Sequence, residues 1–354
     1  MPKLILHHID VLNEEYISGW CLNRIVPVTA IAIELRIDGK SIGNVVCDRL
    51  RSDVRRAGLH RTGHCGFEFK FPELLDLSSS GEFSITCFGG LVTLVKIPVA
   101  SIRPAIHPEK SVFFMHIPKT AGTSFNNHVH SWFSFGKWHS HIEVLDLETQ
   151  RSLIGPGKYL AGHIPLYKLK DIEPELSKLD LHTIVRRPID QLHSHLSWLN
   201  GIGADPTSGF FKAHQPIIQE LALRMQNVEF DHASGIERFV QQMEGFQYDF
   251  FDNLQTRYML FSRPERVSQA DLELAIKNLE LFKTIGTTES YQHYLDRCAR
   301  HYGQRPSVQT TRHNPAKVMP LFDKTDPSIL DAIDPLIQFE NLLYQHITSH
   351  YSHG

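Results

Sequence analysis

The sequence predicts an α/β protein whose central parallel sheet is flanked by helices, preceded by a small all-β domain. Three observations carry this. Apolar residues alternate with period two through the first ~100 residues. A continuous apolar run of strand length, SVFFMHI, follows at residues 111–117. After that run, strand-like and helix-like stretches alternate to the C-terminus.

In the N-terminal part, Ile31, Ile33, Leu35 and Ile37 alternate with smaller or polar residues, and Asp38-Gly39 follows as a hairpin turn. GFEFKFP places Phe67, Phe69 and Phe71 on one face, with Glu68 and Lys70 on the other. EFSITCF and LVTLVKIP add two short strands around Gly89-Gly90. Short alternating strands separated by turns predict a β-sandwich. Pro98, Pro104 and Pro108 then punctuate SIRPAIHPEK, which reads as a linker and divides the chain into domains 1–104 and 105–354.

Beyond the linker the pattern changes. An apolar run such as 111–117 suits a strand buried on both faces. HTIV at 182–185 is a second such strand, and Pro188 opens a helix after it. Residues 267–283 and 327–349 have helical periodicity. No internal repeat or low-complexity tract interrupts the pattern.

The 354 residues are 42% hydrophobic and 21% charged, which excludes a disordered chain. With 36 Lys+Arg against 39 Asp+Glu, the net charge of -3 gives no global field for nucleic acid, so an anion site must be built locally. The N-terminus does not read as a secretory signal, and no stretch approaches the ~20 apolar residues of a membrane helix. The five cysteines form no CxxC pair and fit neither a zinc knuckle nor a disulfide framework, so the cytoplasm is the expected compartment.

The most informative segment is HIPKTAGTSF, residues 116–125, between a buried strand and a helix carrying Phe125, Val129, Trp132 and Phe133 on one face. A loop of small residues at such a junction turns backbone N–H groups toward one point, and the helix dipole adds to the field. Gly122 allows close approach of a ligand, Thr123 and Ser124 add hydroxyls, and Lys119 brings a full positive charge. An anion with several terminal oxygens is the natural guest. The loop is not a Walker A motif, because the lysine precedes Gly122 and no Gly-Lys-Ser/Thr follows.

The strand, PKTAGTS and amphipathic helix together resemble the 5′-phosphosulfate loop of sulfotransferases that use 3′-phosphoadenosine-5′-phosphosulfate (PAPS). The likeness is greatest to carbohydrate sulfotransferases of the heparan/uronosyl 2-O type and their bacterial relatives, and it spans roughly residues 111–345. It implies a P-loop-like fold, with Lys119 contacting the bridging oxygen and sulfuryl group, and Thr120, Ala121, Gly122, Thr123 and Ser124 holding the 5′-phosphate. The family also has a later strand ending in Arg, then a Pro-started helix carrying a Ser, together gripping the 3′-phosphate. HTIVRRPIDQLHSHLSW, residues 182–198, matches through Arg186, Pro188 and Ser194. On a helical wheel Ser194 lies nearly opposite Ile189, Leu192, Leu196 and Leu199. Arg187 stands where the family often has an acid or Asn. TTRHNPAK at 310–317 is similar to segments that close over the nucleotide, through Arg312 or Lys317.

Sulfuryl transfer to an alcohol needs a base for the acceptor's proton. The resemblance carries a catalytic histidine over to His163, after Gly162, although the family's preceding His is Ala161 here. The other histidine pairs, His139/His141 and His193/His195, have i,i+2 spacing; the second pair diverges by ~200° on a helix. With no acidic or Cys partner at useful spacing and no HExxH, no metal is expected; His139 or His141 could instead contact an acceptor.

The resemblance thus implies a PAPS-dependent sulfotransferase acting on a saccharide hydroxyl. The alternatives are a nucleotide kinase or NTPase on the same strand-loop-helix plan, and a glycan-binding protein without activity. The N-terminal pattern GWCLN…CGFEFKFP is similar to small β-sandwich modules fused to glycan-modifying enzymes. Trp20 is its candidate sugar platform, or equally a core residue.

Overall fold

The computed structural model describes residues 4–26, 29–305 and 321–351. Arg312 and Lys317 lie outside the described residues.

Eight strands build the N-terminal part: β1 (Ile5–Leu12), β2 (Tyr16–Asn23), β3 (Ala32–Ile37), β4 (Lys40–Val46), β5 (Arg49–Leu50), β6 (His64–Lys70), β7 (Glu82–Cys87) and β8 (Val92–Pro98). They form two antiparallel four-stranded sheets, ordered β1-β2-β6-β5 and β4-β3-β7-β8. Ile17, Cys21 and Phe67 from the first sheet share one core with Ile33, Leu35, Phe83 and Ile85 from the second. The β3–β4 hairpin turns at Asp38-Gly39 with φ of 50° and 75°, the doubly left-handed geometry that a two-residue hairpin favours. Trp20 is not a member of that shared core. It is half-buried on the other face of β2, packed with Leu22, Val54 and Cys65.

The proline-punctuated stretch is bonded on both sides. The Ala105 N–H donates to Glu14 at 2.6 Å, and Gln304 Nε2 donates to the Pro104 carbonyl at 2.8 Å. Nearby, Asn13 Nδ2 donates to the Phe133 carbonyl at 3.0 Å and Ser134 Oγ to Glu15 at 2.8 Å. Ile102, Ala105 and Ile106 are buried, so the segment is an anchored junction.

The second part holds a five-stranded parallel sheet ordered β10-β11-β9-β12-β13, with β9 at Ser111–Met115, β10 at Trp138–His139, β11 at Tyr159–Gly162, β12 at Leu179–Val185 and β13 at Phe282–Thr287. Its two faces are both covered, which is why β9 is buried throughout and apolar after Ser111. Phe113 and Met115 pack with Leu166, Leu169 and Ala275 on one side. Val112 and Phe114 meet Phe125, Val129 and Leu295 on the other. The periodic stretch 267–283 does not stay helical to its end: the helix closes at Asn278, and Phe282 begins β13, drawn in by pairing with β12 and by burial of Phe282 and Ile285. Tertiary pairing overrides local periodicity there.

The order of strands decides where a ligand can sit. From β9 the chain runs to β10 and β11 on one side, then crosses to β12 and β13 on the other. The carboxyl ends beside β9 are therefore the topological switch point, the crevice in which open parallel sheets bind ligands.

Candidate active site

Three of the segments singled out in the sequence begin at those carboxyl ends. β9 runs into His116 and the Lys119 loop, β11 into His163, and β12 into Arg186. Parallel register holds Met115 beside both Gly162 and Thr183, so the three segments emerge together.

The loop itself has a strained backbone. Lys119 and Ala121 have φ of 68° and 67°, in the left-handed region that costs a non-glycine residue about 1 kcal/mol or more. Thr120 between them does not share this hand. Alternation of this kind points successive backbone N–H groups to one side and makes a nest for an anion. The loop runs straight into the helix Gly122–His130, whose first N–H groups have no acceptor within the helix. Thr123 is exposed and Ser124 half-buried at that terminus. Thr120 is fully buried, and its hydroxyl donates to the Ile117 carbonyl at 2.9 Å.

Gly122 is also tightly packed on one side. Its backbone is helical, and a Cβ there would lie 2.0 Å from the His116 imidazole.

Arg186 meets this loop directly: its Nη1 donates to the Lys119 carbonyl at 3.2 Å. The Lys119 ammonium lies 5.8 Å from the ring centre of Trp198. Burial first, then the Arg186 charge, holds Lys119 below the usual lysine value. Two cations brought close together while partly buried repel each other, a cost that a nearby anion would relieve.

The helix Pro188–Gly203 lies along the loop. Leu192, Leu196 and Leu199 face the core, as the helical wheel predicts. Gln191 Nε2 donates to the Pro118 carbonyl at 3.0 Å, and Trp198 underlies Lys119. Ser194, half-buried, falls between Gln191 and Trp198 on the same stripe by helical spacing. Arg187 is exposed and pairs with Asp190 at 2.5 Å.

His163 follows β11 and is half-buried. Its Nδ1 lies 2.6 Å from the His116 carbonyl. A carbonyl only accepts, so Nδ1 carries the proton and Nε2 keeps its lone pair. Burial lowers the pKa of His163, against the nearby charge of Glu143, and favours the neutral base.

Several residues of the site escape sequence reasoning. Gln255 grips the backbone of Arg186 and is itself bonded to buried Glu340. The segment DNLQTRYML, residues 252–260, does not reveal this, because the contact joins residues far apart in sequence. Arg257, in the same segment, is buried against Asp252 and serves structure. His195 is buried with neither ring nitrogen partnered among the described residues; burial, then Lys119 and His163, drives its pKa down to about 3. His193 accepts the Leu321 N–H at 3.1 Å. The expectation that no acid joins the histidines fails: a turn at Ile142–Val144 brings Glu143 to His141, 3.2 Å away, and beside His163. The acid sat two residues from His141, but its link to His163 is made only by the fold.

No protein-family profile matches the chain, and no curated protein matches it. Among solved structures, it is similar to mouse sulfotransferase SULT7A1 complexed with PAP, at 12% identity and a TM-score of 0.32, over 69% of this chain and 85% of that one. A superposition that loose establishes no kinship.

Proposed function

We propose that this chain is a PAPS-dependent sulfotransferase that moves a sulfuryl group to a hydroxyl of a carbohydrate acceptor. The transferase unit spans 105–354 and has a P-loop-like plan; 1–104 is an accessory β-sandwich. One observation carries the reading: the Lys119 nest and Arg186 converge on the same crevice, with Arg186 Nη1 3.2 Å from the Lys119 carbonyl. One small molecule with phosphates at both ends can bridge them.

In this reading the nest of residues 119–124 holds the 5′-phosphate by backbone N–H groups, and the Thr123 and Ser124 hydroxyls complete it. Arg186 and Ser194 take the 3′-phosphate, where the guanidinium fork suits a dianion. The Lys119 ammonium stabilises charge that develops on the departing phosphate in an in-line displacement. His163 Nε2 accepts the acceptor's proton. The transfer requires no metal when Lys119 supplies that charge.

A reducing compartment such as the cytoplasm fits five cysteines that are buried and unpaired. No helix among the described residues is long and apolar enough to cross a membrane. Half-exposed Trp20, outside the shared core, keeps a sugar-platform role open to test by Trp20→Ala and glycan binding.

The deciding experiment is a thermal melt with 3′,5′-ADP in the absence of magnesium. A raised Tm is expected, and no shift at roughly millimolar ligand would overturn the proposal. Labelled PAPS offered to a glycan panel, with product position read by mass spectrometry, then tests the acceptor class.

A further inference from the structure

Between the edge strand β10 and the end of β11, the chain sets two imidazoles and a carboxylate around one point. One donor atom from each of His141, Glu143 and His163 lies within 4.8 Å of the others. The nucleotide reading uses only His163 of the three.

We propose that His141, Glu143 and His163 form a binding site for a divalent transition ion of the zinc class. His163 is presented as a ligand should be. Its Nδ1–H is spent on the His116 carbonyl at 2.6 Å, which fixes the ring and leaves Nε2 as its donor atom. Metal-binding histidines are held by this same kind of outer hydrogen bond. The His141 Nδ1 to Glu143 Oε1 separation of 3.2 Å is close to the edge of a tetrahedron with bonds of about 2.0 Å. Glu143 Oε2 is buried with no partner among the described residues, a carboxylate oxygen lacking the donor or cation that burial demands. His141 itself sits at φ 56°, a left-handed backbone that a non-glycine residue adopts only when its surroundings hold it there.

The donor set chooses the ion. Two imidazoles and one carboxylate suit zinc or cobalt, whereas magnesium and calcium need an all-oxygen shell. Three protein ligands leave a fourth position open to water or an acceptor oxygen. The consequence for transfer rests on the sulfotransferase reading: an ion on His163 Nε2 takes the lone pair that would accept the acceptor's proton, so bound zinc inhibits.

The test uses the full chain, freed of metal by chelator. Cobalt(II) should bind with the visible absorption of a low-coordinate nitrogen-oxygen site, and zinc should displace it, both read without turnover. His141→Ala and the conservative Glu143→Gln should each weaken cobalt binding by about 100-fold or more with an unchanged circular dichroism spectrum. Absence of the cobalt band in the wild-type chain, or equal binding by both variants, overturns the site. A separate arm measures PAPS turnover with and without zinc. Binding together with inhibition supports both readings, whereas binding with undiminished turnover upholds the metal site and removes His163 as the base.

Discussion

Gln255 clasps the backbone of Arg186 from both sides, accepting its N–H at 2.8 Å and donating to its carbonyl at 2.8 Å. The guanidinium at the edge of the proposed nucleotide crevice is thus aimed by a residue that does not touch the crevice. Behind Gln255 stands buried Glu340, whose carboxyl accepts the same amide group. Neighbouring Asn253 pins this segment into the long helix Pro327–His350, its Oδ1 accepting the N–H groups of Phe339 and Glu340 at 2.9 and 3.0 Å. Gln255→Ala removes both bonds to Arg186 and leaves buried polar groups unpaired, which should cost about 1–3 kcal/mol of stability. Affinity for 3′,5′-ADP should fall as well, because Arg186 loses its direction. Denaturant melts and nucleotide titration check the two effects, and unchanged affinity in a folded variant would show that Arg186 needs no such support.

Glu340 makes the same network sensitive to pH. Burial pushes its carboxyl up from 4.5 to about 8, so the folded protein carries it protonated at neutral pH. The unfolded chain ionises at the ordinary value. Between those two values only the folded state binds the proton, and stability falls as pH rises through the interval. Beyond about 8 both states are ionised and this contribution is flat. Glu340→Gln should therefore flatten the decline in urea midpoint between about pH 5 and about pH 8. A mutant curve parallel to the wild type would mean that Glu340 ionises normally.

Lys119 pairs strain with charge. At φ 68° its side chain is borne by a backbone that glycine would adopt freely. Lys119→Gly should hold or raise the melting temperature, by relief of about 1 kcal/mol of strain, yet abolish transfer. Lys119→Ala should lose transfer without that gain. Ala121→Gly, at φ 67°, should stabilise by a similar amount. Full activity in either Lys119 variant would take the ammonium out of the proposed mechanism.

How much of the fold and site is legible in the sequence depends on the range of each interaction. The strands around Asp38-Gly39 and the Phe67/Phe69/Phe71 face were legible because alternation and turn chemistry are local. So was the Lys119 loop, since strand, small residues and helix adjoin in the chain. The meeting of Arg186 with Lys119, the grip of Gln255 and the approach of Glu143 to His163 were not, because each joins segments that only the sheet order brings together. Phe282 shows the same limit from the other side: its helical spacing was real, but pairing of β13 with β12 prevailed. Gly122 shows the limit again: the His116 ring that a Cβ there would meet cannot be seen in a string of small residues.

A Cβ on Gly122 would fall 2.0 Å from the His116 ring, and that ring is buried under the loop with its centre 4.2 Å from that of His163. Since the His116 carbonyl also holds His163 Nδ1, any displacement of His116 reaches the proposed base. Gly122→Ala should therefore destabilise by about 1–3 kcal/mol, as overpacking does, and reduce turnover more than nucleotide affinity. His116→Ala opens space at the same point. In the double variant the two changes should compensate, giving a coupling energy well above the few tenths of a kcal/mol expected of independent sites. Additive losses would place the role of Gly122 in its backbone after all, as close approach of a ligand requires. Compensation would identify the glycine as the mould for His116, and through it for His163.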